Sequence, residues 1–215
     1  MIEQSEEHSD VIELYRKNYA DLQFERAGLF ELMQQIYRVS QALYPGCFVH
    51  LTPSLYFPHV VYVDRHPETQ AFFADLESVS QFVERNKHYK RSAYIRFIAQ
   101  DFTEPLPLPE ASFDLLISLF AGGIARTCKR YLKPGGLLIT NNHHKDVQDS
   151  ATDAEFELLS AIRFQRGKYR LIEDHPARLL ASHGGSARVL RYLRQGDRGI
   201  EYVENESYYV FRRRP

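Results

Sequence analysis

The chain has 215 residues, 44% of them hydrophobic and 26% charged, which is ordinary for one globular α/β domain with a proper core. Two cysteines without a CxxC spacing exclude a disulfide scaffold. No apolar run approaches the roughly 18–20 residues that span a bilayer, and MIEQSEEHSD lacks the basic and apolar regions of a signal peptide, so the expectation is a cytoplasmic protein with no membrane partner. A formal net charge of −1 gives no chain-wide attraction for nucleic acid, although residues 1–150 hold 15 Lys and Arg against 19 Asp and Glu while residues 151–215 hold 12 against 9.

The first forty residues read as helical. Ser9 or Asp10 would cap a stretch in which Val11, Leu14, Tyr15, Tyr19 and Leu22 recur at helical steps, and a second stretch puts Phe30, Met33, Ile36 and Tyr37 on one face. Val39 to Tyr44 reads as a strand ending in Pro45-Gly46. His59 to Val63 is a β-branched and aromatic strand that stops at Asp64. Pro67 opens a helix carrying Phe72, Phe73, Leu76, Val79, Phe82 and Val83. Tyr94 to Ala99 is a third strand, and Phe113 to Ser118 is an apolar central strand. Gly122-Gly123 opens a helix to about Leu132, Lys133-Pro134-Gly135-Gly136 is a tight turn, and Leu137 to Thr140 is a fifth strand. Thr152 or Asp153 would cap a helix through Phe164. Tyr169 to Ile172 reads as a strand, and Ser186 to Arg194 is either helical or extended. Ile200–Val203 and Tyr208–Arg212 would pair as a hairpin across Asn205-Glu206.

Strand and helix alternating through residues 39–140 imply a doubly wound, mostly parallel Rossmann-like α/β sheet. The expected organisation is a single domain. Residues 1–38 form an N-terminal helical extension, 39–145 the core, and 146–215 an irregular part that completes the sheet and contributes a substrate region. Ligands of such sheets sit beyond the carboxyl ends of the strands, which draws notice to Gly46, Asp64, Asp101, Ser118 and Asn142.

The run Tyr44-Pro45-Gly46, Val63-Asp64, Gln100-Asp101-Phe102, Phe113 to Ser118 and Tyr131-Leu132-Lys133-Pro134-Gly135-Gly136 resembles the class I S-adenosylmethionine-dependent methyltransferases over about residues 39–145. The resemblance implies a cofactor site for S-adenosylmethionine and its product S-adenosylhomocysteine, formed by Tyr44, Gly46, Asp64, Asp101, Phe102 and Ser118. In it, Gly46 lets the first loop approach the methionine part, and Asp64 accepts from the ribose hydroxyls. Asp101 accepts from the adenine amino group, the Phe102 N–H meets a ring nitrogen, and Ser118 to Phe120 line the floor near the methyl. The sequence departs from the family in its first loop. Where the family has two or three glycines, Gly46 stands alone before Cys47, Phe48, Val49 and His50, and Pro45 removes a backbone donor.

Asn142 and His143 follow the fifth strand at the ligand face and are the candidate catalytic residues, for positioning the acceptor or acting as a base. A Cys47–His50 thiolate pair and a metal set from His143, His144 and Asp146 are weighed and set aside, the first for a small buried thiol and a loop imidazole. Tyr15, Tyr19, Phe24 and Phe30 fit a lid or a packed core, the core being preferred. The basic clusters Arg163-x-x-Arg166-x-Lys168-x-Arg170 and Arg212-Arg213-Arg214 come without an aromatic nucleic-acid motif, so the expected partner is a small-molecule acceptor rather than nucleic acid. An edge strand near the C-terminus leaves a homo-oligomer open. The alternative to an enzyme is a non-catalytic binding module with a degenerate cofactor loop. A nicotinamide enzyme ranks last, because no G-x-G-x-x-G follows the first strand.

Overall fold

In the computed structural model, which describes residues 11–141, 145–181, 188–195, 198–204 and 207–215, the chain opens with a helix, α1, over 11–20, whose last turn, Arg16–Ala20, is π-helical. α2 (Ala27–Tyr37), β1 (Gln41–Pro45), the one-turn α3 (Pro53–Tyr56) and β2 (His59–Val63) follow. Next come α4 (Pro67–Ala74), α5 (Leu76–Asn86), β3 (Tyr94–Ile98), β4 (Phe113–Ser118), α6 (Ile124–Cys128), a 3-10 turn Lys129–Tyr131 and β5 (Leu132–Asn141). The remainder is α7 (Asp146–Thr152), β6 (Phe156–Gln165), β7 (Lys168–Ile172), α8 (Pro176–Ala181), β8 (Arg188–Gln195), β9 (Arg198–Glu204) and β10 (Ser207–Arg213).

The main sheet has the order β3-β2-β1-β4-β5-β10-β6-β7. β1 to β5 run parallel, and β10, β6 and β7 each pair antiparallel with their neighbours. Chain order reverses at β1, which lies between β2 and β4. The expected Rossmann-like, mostly parallel α/β class is therefore the observed one.

Each face of the sheet buries its own apolar layer. One layer joins Tyr44, Tyr62, Leu115, Ile117, Ile139, Ile162 and Tyr208 to residues of α1–α5, and the other joins Leu43, Val61, Leu116, Leu138, Ala161, Tyr209 and Phe211 to residues of α6, α7 and α8. The alternation Leu43/Tyr44, Val61/Tyr62 and Leu115/Leu116 is the period of two that a central strand needs to feed both faces. Tyr15, Tyr19, Phe24 and Phe30 are all buried in the first layer, so the N-terminal aromatic residues are core. Ile36, placed on the same face by its spacing, is instead 40% exposed, and Leu29 is buried. The expected caps Ser9 and Asp10 lie outside the described residues.

The β1–β2 connection is a loop with one helical turn, and the β3–β4 connection over 99–112 is a Pro-rich link without a helix, both as their residues suggest. α1 and α2 pack in the first layer, whereas Leu106 of the link packs in the second. Other elements differ from their expected form. The helix expected from Pro67 is two helices, broken at Asp75, whose Oδ1 accepts the Ser78 N–H at 3.0 Å and caps α5. The helix from Gly123 stops at Cys128, and the Lys133–Gly136 turn lies inside β5, where Gly135 has φ +80° and the pairing register against β4 shifts.

Residues 153–164 are not a helix. Asp153 organises a tight turn instead, its Oδ1 accepting the Glu155 N–H at 2.9 Å, and Phe156 then enters β6. Both edges of that strand are paired, to β10 and β7. These ladders satisfy the backbone as completely as a helix would, which overrides the helical preferences of Glu157, Leu158 and Ala161. The expected hairpin also fails. β9 pairs with β8 in a separate two-stranded sheet, while β10 inserts between β5 and β6. Ser186 to Arg194 resolves as extended over β8, and Ser186 itself lies outside the described residues.

Candidate active site

Gly46 directly follows β1 at the point where chain order reverses, the position at which open α/β sheets hold ligands. It has φ +61°, and its N–H donates to the Val63 carbonyl at 2.8 Å, which pins the first loop to the end of β2. A Cβ at Gly46 would lie 2.5 Å from Ala121 Cβ and 3.6 Å from Phe102 Cε1. The loops after β1, β3 and β4 thus converge on this one residue, and a side chain there would meet both walls.

Asp64 follows β2 and holds two loops. Its Oδ2 accepts the Phe48 N–H at 2.8 Å, where Phe48 has φ +45°, and its Oδ1 accepts the His66 N–H at 2.8 Å. Asp101 lies past β3. Its Oδ1 accepts the Thr103 N–H and hydroxyl at 2.9 and 2.8 Å, and its Oδ2 pairs with Arg65 at 2.8 Å. The Thr103 N–H, then the Thr103 hydroxyl and the Arg65 charge, hold the Asp101 carboxyl below its ordinary range. Because β2 and β3 are neighbours in register, Arg65 beside Asp64 reaches Asp101 directly.

Ser118 ends β4, but its hydroxyl is engaged. It donates at 2.5 Å to Oδ2 of Asp146, a carboxylate only 2% exposed, whose Oδ1 accepts the Gly123 N–H at 2.7 Å. Asp146 therefore ties the first residue of α7 to both ends of the loop that carries Ala121. Sequence reasoning considered Asp146 only as a metal ligand. Among the described residues, no three His, Cys, Asp or Glu side chains are placed to hold a metal ion.

Tyr44 and His50 point into the core beneath α1. The His50 ring stacks on Tyr19 with centroids 4.4 Å apart, its Nε2 lies 2.9 Å from the Glu25 carbonyl, and its Nδ1 lies 2.9 Å from the Tyr44 hydroxyl. A carbonyl only accepts, so Nε2 carries the proton and Nδ1 accepts from Tyr44. Burial, with Arg26 adding to it, lowers the imidazole to about 3. Cys47 is fully buried, and desolvation, together with the charge of Asp64, pushes its thiol well up. Both His50 nitrogens are already partnered, so this is the buried thiol and loop imidazole preferred above.

Arg26 is the site's residue with no warning in the sequence. It is 4% exposed and has φ 55°, its Nε donates to the Tyr208 hydroxyl at 2.6 Å, and its guanidinium lies 3.8 Å from the Phe24 ring centroid and 4.6 Å from that of Phe120. These are cation–π distances. Tyr208 pairs with Asn141 at the end of β5. Arg26 thereby fastens the turn between α1 and α2 over the carboxyl edge of the sheet. Asn142, His143 and His144 lie outside the described residues.

Among the basic residues, Arg212 pairs with Glu157 at 2.9 Å, while Arg213 donates to the Lys129 and Leu132 carbonyls at 3.1 and 2.6 Å. Two of the three C-terminal arginines are thus engaged within the fold. Arg163 and Arg170 face each other across β6 and β7.

Residues 46–140 match the family model described as a methyltransferase domain, a span that begins on Gly46 and includes Asp64, Asp101, Phe102 and Ser118. No curated protein matches the sequence. Among solved structures, a proposed O-methyltransferase from Klebsiella pneumoniae is similar at TM-score 0.50 and 11% identity, covering 88% of this chain and 80% of its own. The O-methyltransferase TomG from Streptomyces achromogenes, solved with S-adenosylmethionine, is similar at TM-score 0.49 and 11% identity over the same shares. These likenesses are likenesses of fold.

Proposed function

We propose that the methyltransferase domain at residues 46–140 binds S-adenosylmethionine beyond β1 to β4 and directs its methyl group to a small-molecule acceptor. The observation that carries this reading is the family match itself, since its span contains two carboxylates, Asp64 and Asp101, at the ends of adjacent parallel strands.

The residues present fit the nucleoside half of the cofactor. Each Asp64 oxygen accepts one N–H and has a second lone pair, so a ribose diol can donate to both without displacing Phe48 or His66. Asp101 retains acceptor capacity on Oδ2 beside Arg65 for an adenine amino group. At the methionine half, the contact of Gly46 with Ala121 and Phe102 stands in the way and calls for movement of a loop.

When bound, the sulfonium supplies an electrophilic methyl group. The protein's share is to orient the acceptor in line and to exclude water, which the aromatic residues Tyr19, Phe24 and Phe120 over the carboxyl edge favour. Asn142 and His143, directly after the last residue of β5, are proposed to position that acceptor. The same Gly46–Ala121 contact favours a second reading, a binding module that keeps the fold and has lost the reaction.

Titration calorimetry with S-adenosylmethionine and S-adenosylhomocysteine tests the cofactor reading. Asp64→Asn keeps the shape of the side chain and removes its charge. We expect micromolar binding by the wild type and about a tenfold loss in the variant, which corresponds to ~1.4 kcal/mol. Absence of binding to folded, ligand-free protein favours the binding module.

A further inference from the structure

We propose that Ala121 is the specificity-determining residue of the switch-point crevice: seated on Gly46, it admits a nucleoside and makes a ligand carrying the amino-acid tail displace the loop 119–123. The inference rests on the cofactor reading given above and deepens it.

The geometry that carries it is the convergence on Gly46. β1 pairs with β2 on one side and β4 on the other, all parallel, so the crevice at the reversal lies between the loops that follow β1 and β4. A methyl group built on Gly46 would come within 2.5 Å of the Ala121 methyl carbon, so the two loops touch across the crevice in this structure. Neither loop is slack. The first is tied to β2 by the Gly46 N–H on the Val63 carbonyl and by the Phe48 N–H on Asp64. The second is tied at both ends to one buried carboxylate, through Ser118 and the Gly123 N–H on Asp146.

Asp64 and Asp101 lie on the other side of Gly46, beyond β2 and β3, and their half of the crevice does not depend on Ala121. A nucleoside held by the two carboxylates leaves the Ala121 contact in place. A ligand that extends from the ribose toward β4 has to break it, and the cost falls on that ligand alone.

The test compares adenosine with S-adenosylhomocysteine, which share the nucleoside and differ in the tail. In the wild type, hydrogen–deuterium exchange over 119–123 is expected to rise when S-adenosylhomocysteine binds and to stay unchanged with adenosine. Ala121→Gly removes the methyl that closes the crevice. Calorimetry should show S-adenosylhomocysteine binding about fourfold tighter, the worth of one buried methyl group, with adenosine affinity unchanged as the control for folding. Adenosine binding with no exchange difference between the two ligands, or an Ala121→Gly effect equal for both, overturns the role of Ala121 and leaves the cofactor reading standing. Failure of both ligands to bind the wild type overturns both.

Discussion

His50 gives the sharpest test of the packing under α1. Its ring is fully buried between Tyr19 and Phe30, with Nε2 donating to the Glu25 carbonyl and Nδ1 accepting from Tyr44. Protonation would make both nitrogens donors, so the Tyr44 hydroxyl would have to turn and leave its own proton without that acceptor in a dry site. A second positive charge would also appear near Arg26, and these costs accompany a folded-state value of about 3 against 6.5 for an exposed imidazole. The folded value is the lower one, so the contribution to stability is complete above the unfolded value of 6.5 and is lost as the pH falls toward about 3. Between pH 7 and pH 5 the unfolded chain gains about 0.7 of a proton at this residue and the folded chain almost none, which costs about 2 kcal/mol. Most carboxylates remain ionised over that range. Urea unfolding followed by far-UV circular dichroism, at pH steps from 7 to 5, measures the slope, and His50→Gln removes the titrating group while keeping an amide for Tyr44 and Glu25. The variant should lose about 2 kcal/mol less than the wild type across the range. His59, whose value is also lowered by burial, is present in both proteins and cancels. Parallel losses in the two proteins would refute the buried, neutral His50.

Two further outcomes follow from the same region. Arg26→Met should destabilise the fold by about 2 kcal/mol in urea unfolding, through the hydrogen bond to Tyr208 and the stacking on Phe24 and Phe120. Arg26→Lys should not restore it, since an ammonium cannot reproduce the planar guanidinium, and full rescue by Lys would assign the effect to charge alone. Both thiols should be silent toward a disulfide reagent in the native protein and react fully once unfolded. Cys47 and Cys128 are buried, and burial pushes the thiols up, Cys128 to about 11. A thiol that reacts within seconds at pH 8 without unfolding would contradict that placement.

The parallel half of this protein is legible in its residues because its signals are local. His59–Val63 and Phe113–Ser118 are short apolar runs bounded by breakers, and strands buried on both faces need little else. Asp64 and Asp101 could be placed at the carboxyl edge of the sheet for the same reason, since an acid just after a strand-like run has to sit near that strand's carboxyl end. The antiparallel half was not legible. Phe156–Gln165 contains good helix formers and becomes a strand because β10, some fifty residues later, supplies its ladder, and the hairpin expected for β10 loses to the two open edges of β5 and β6.

The same division runs through the site. Sequence alone identified Gly46 as the one glycine of its loop and placed it at the carboxyl end of the first strand. That its neighbours would be Ala121 and Phe102 depends on three loops meeting across the sheet. Ser118 and Asp146 are 28 residues apart, and Arg26 and Tyr208 are 182 apart. Local periodicity decides which residues enter a strand and which strand ends carry acids. Contacts over such separations form only when the order β3-β2-β1-β4-β5-β10 brings the ends together, so the tertiary structure alone decided that Ala121 is seated on Gly46 and that Arg26 is buried against Tyr208.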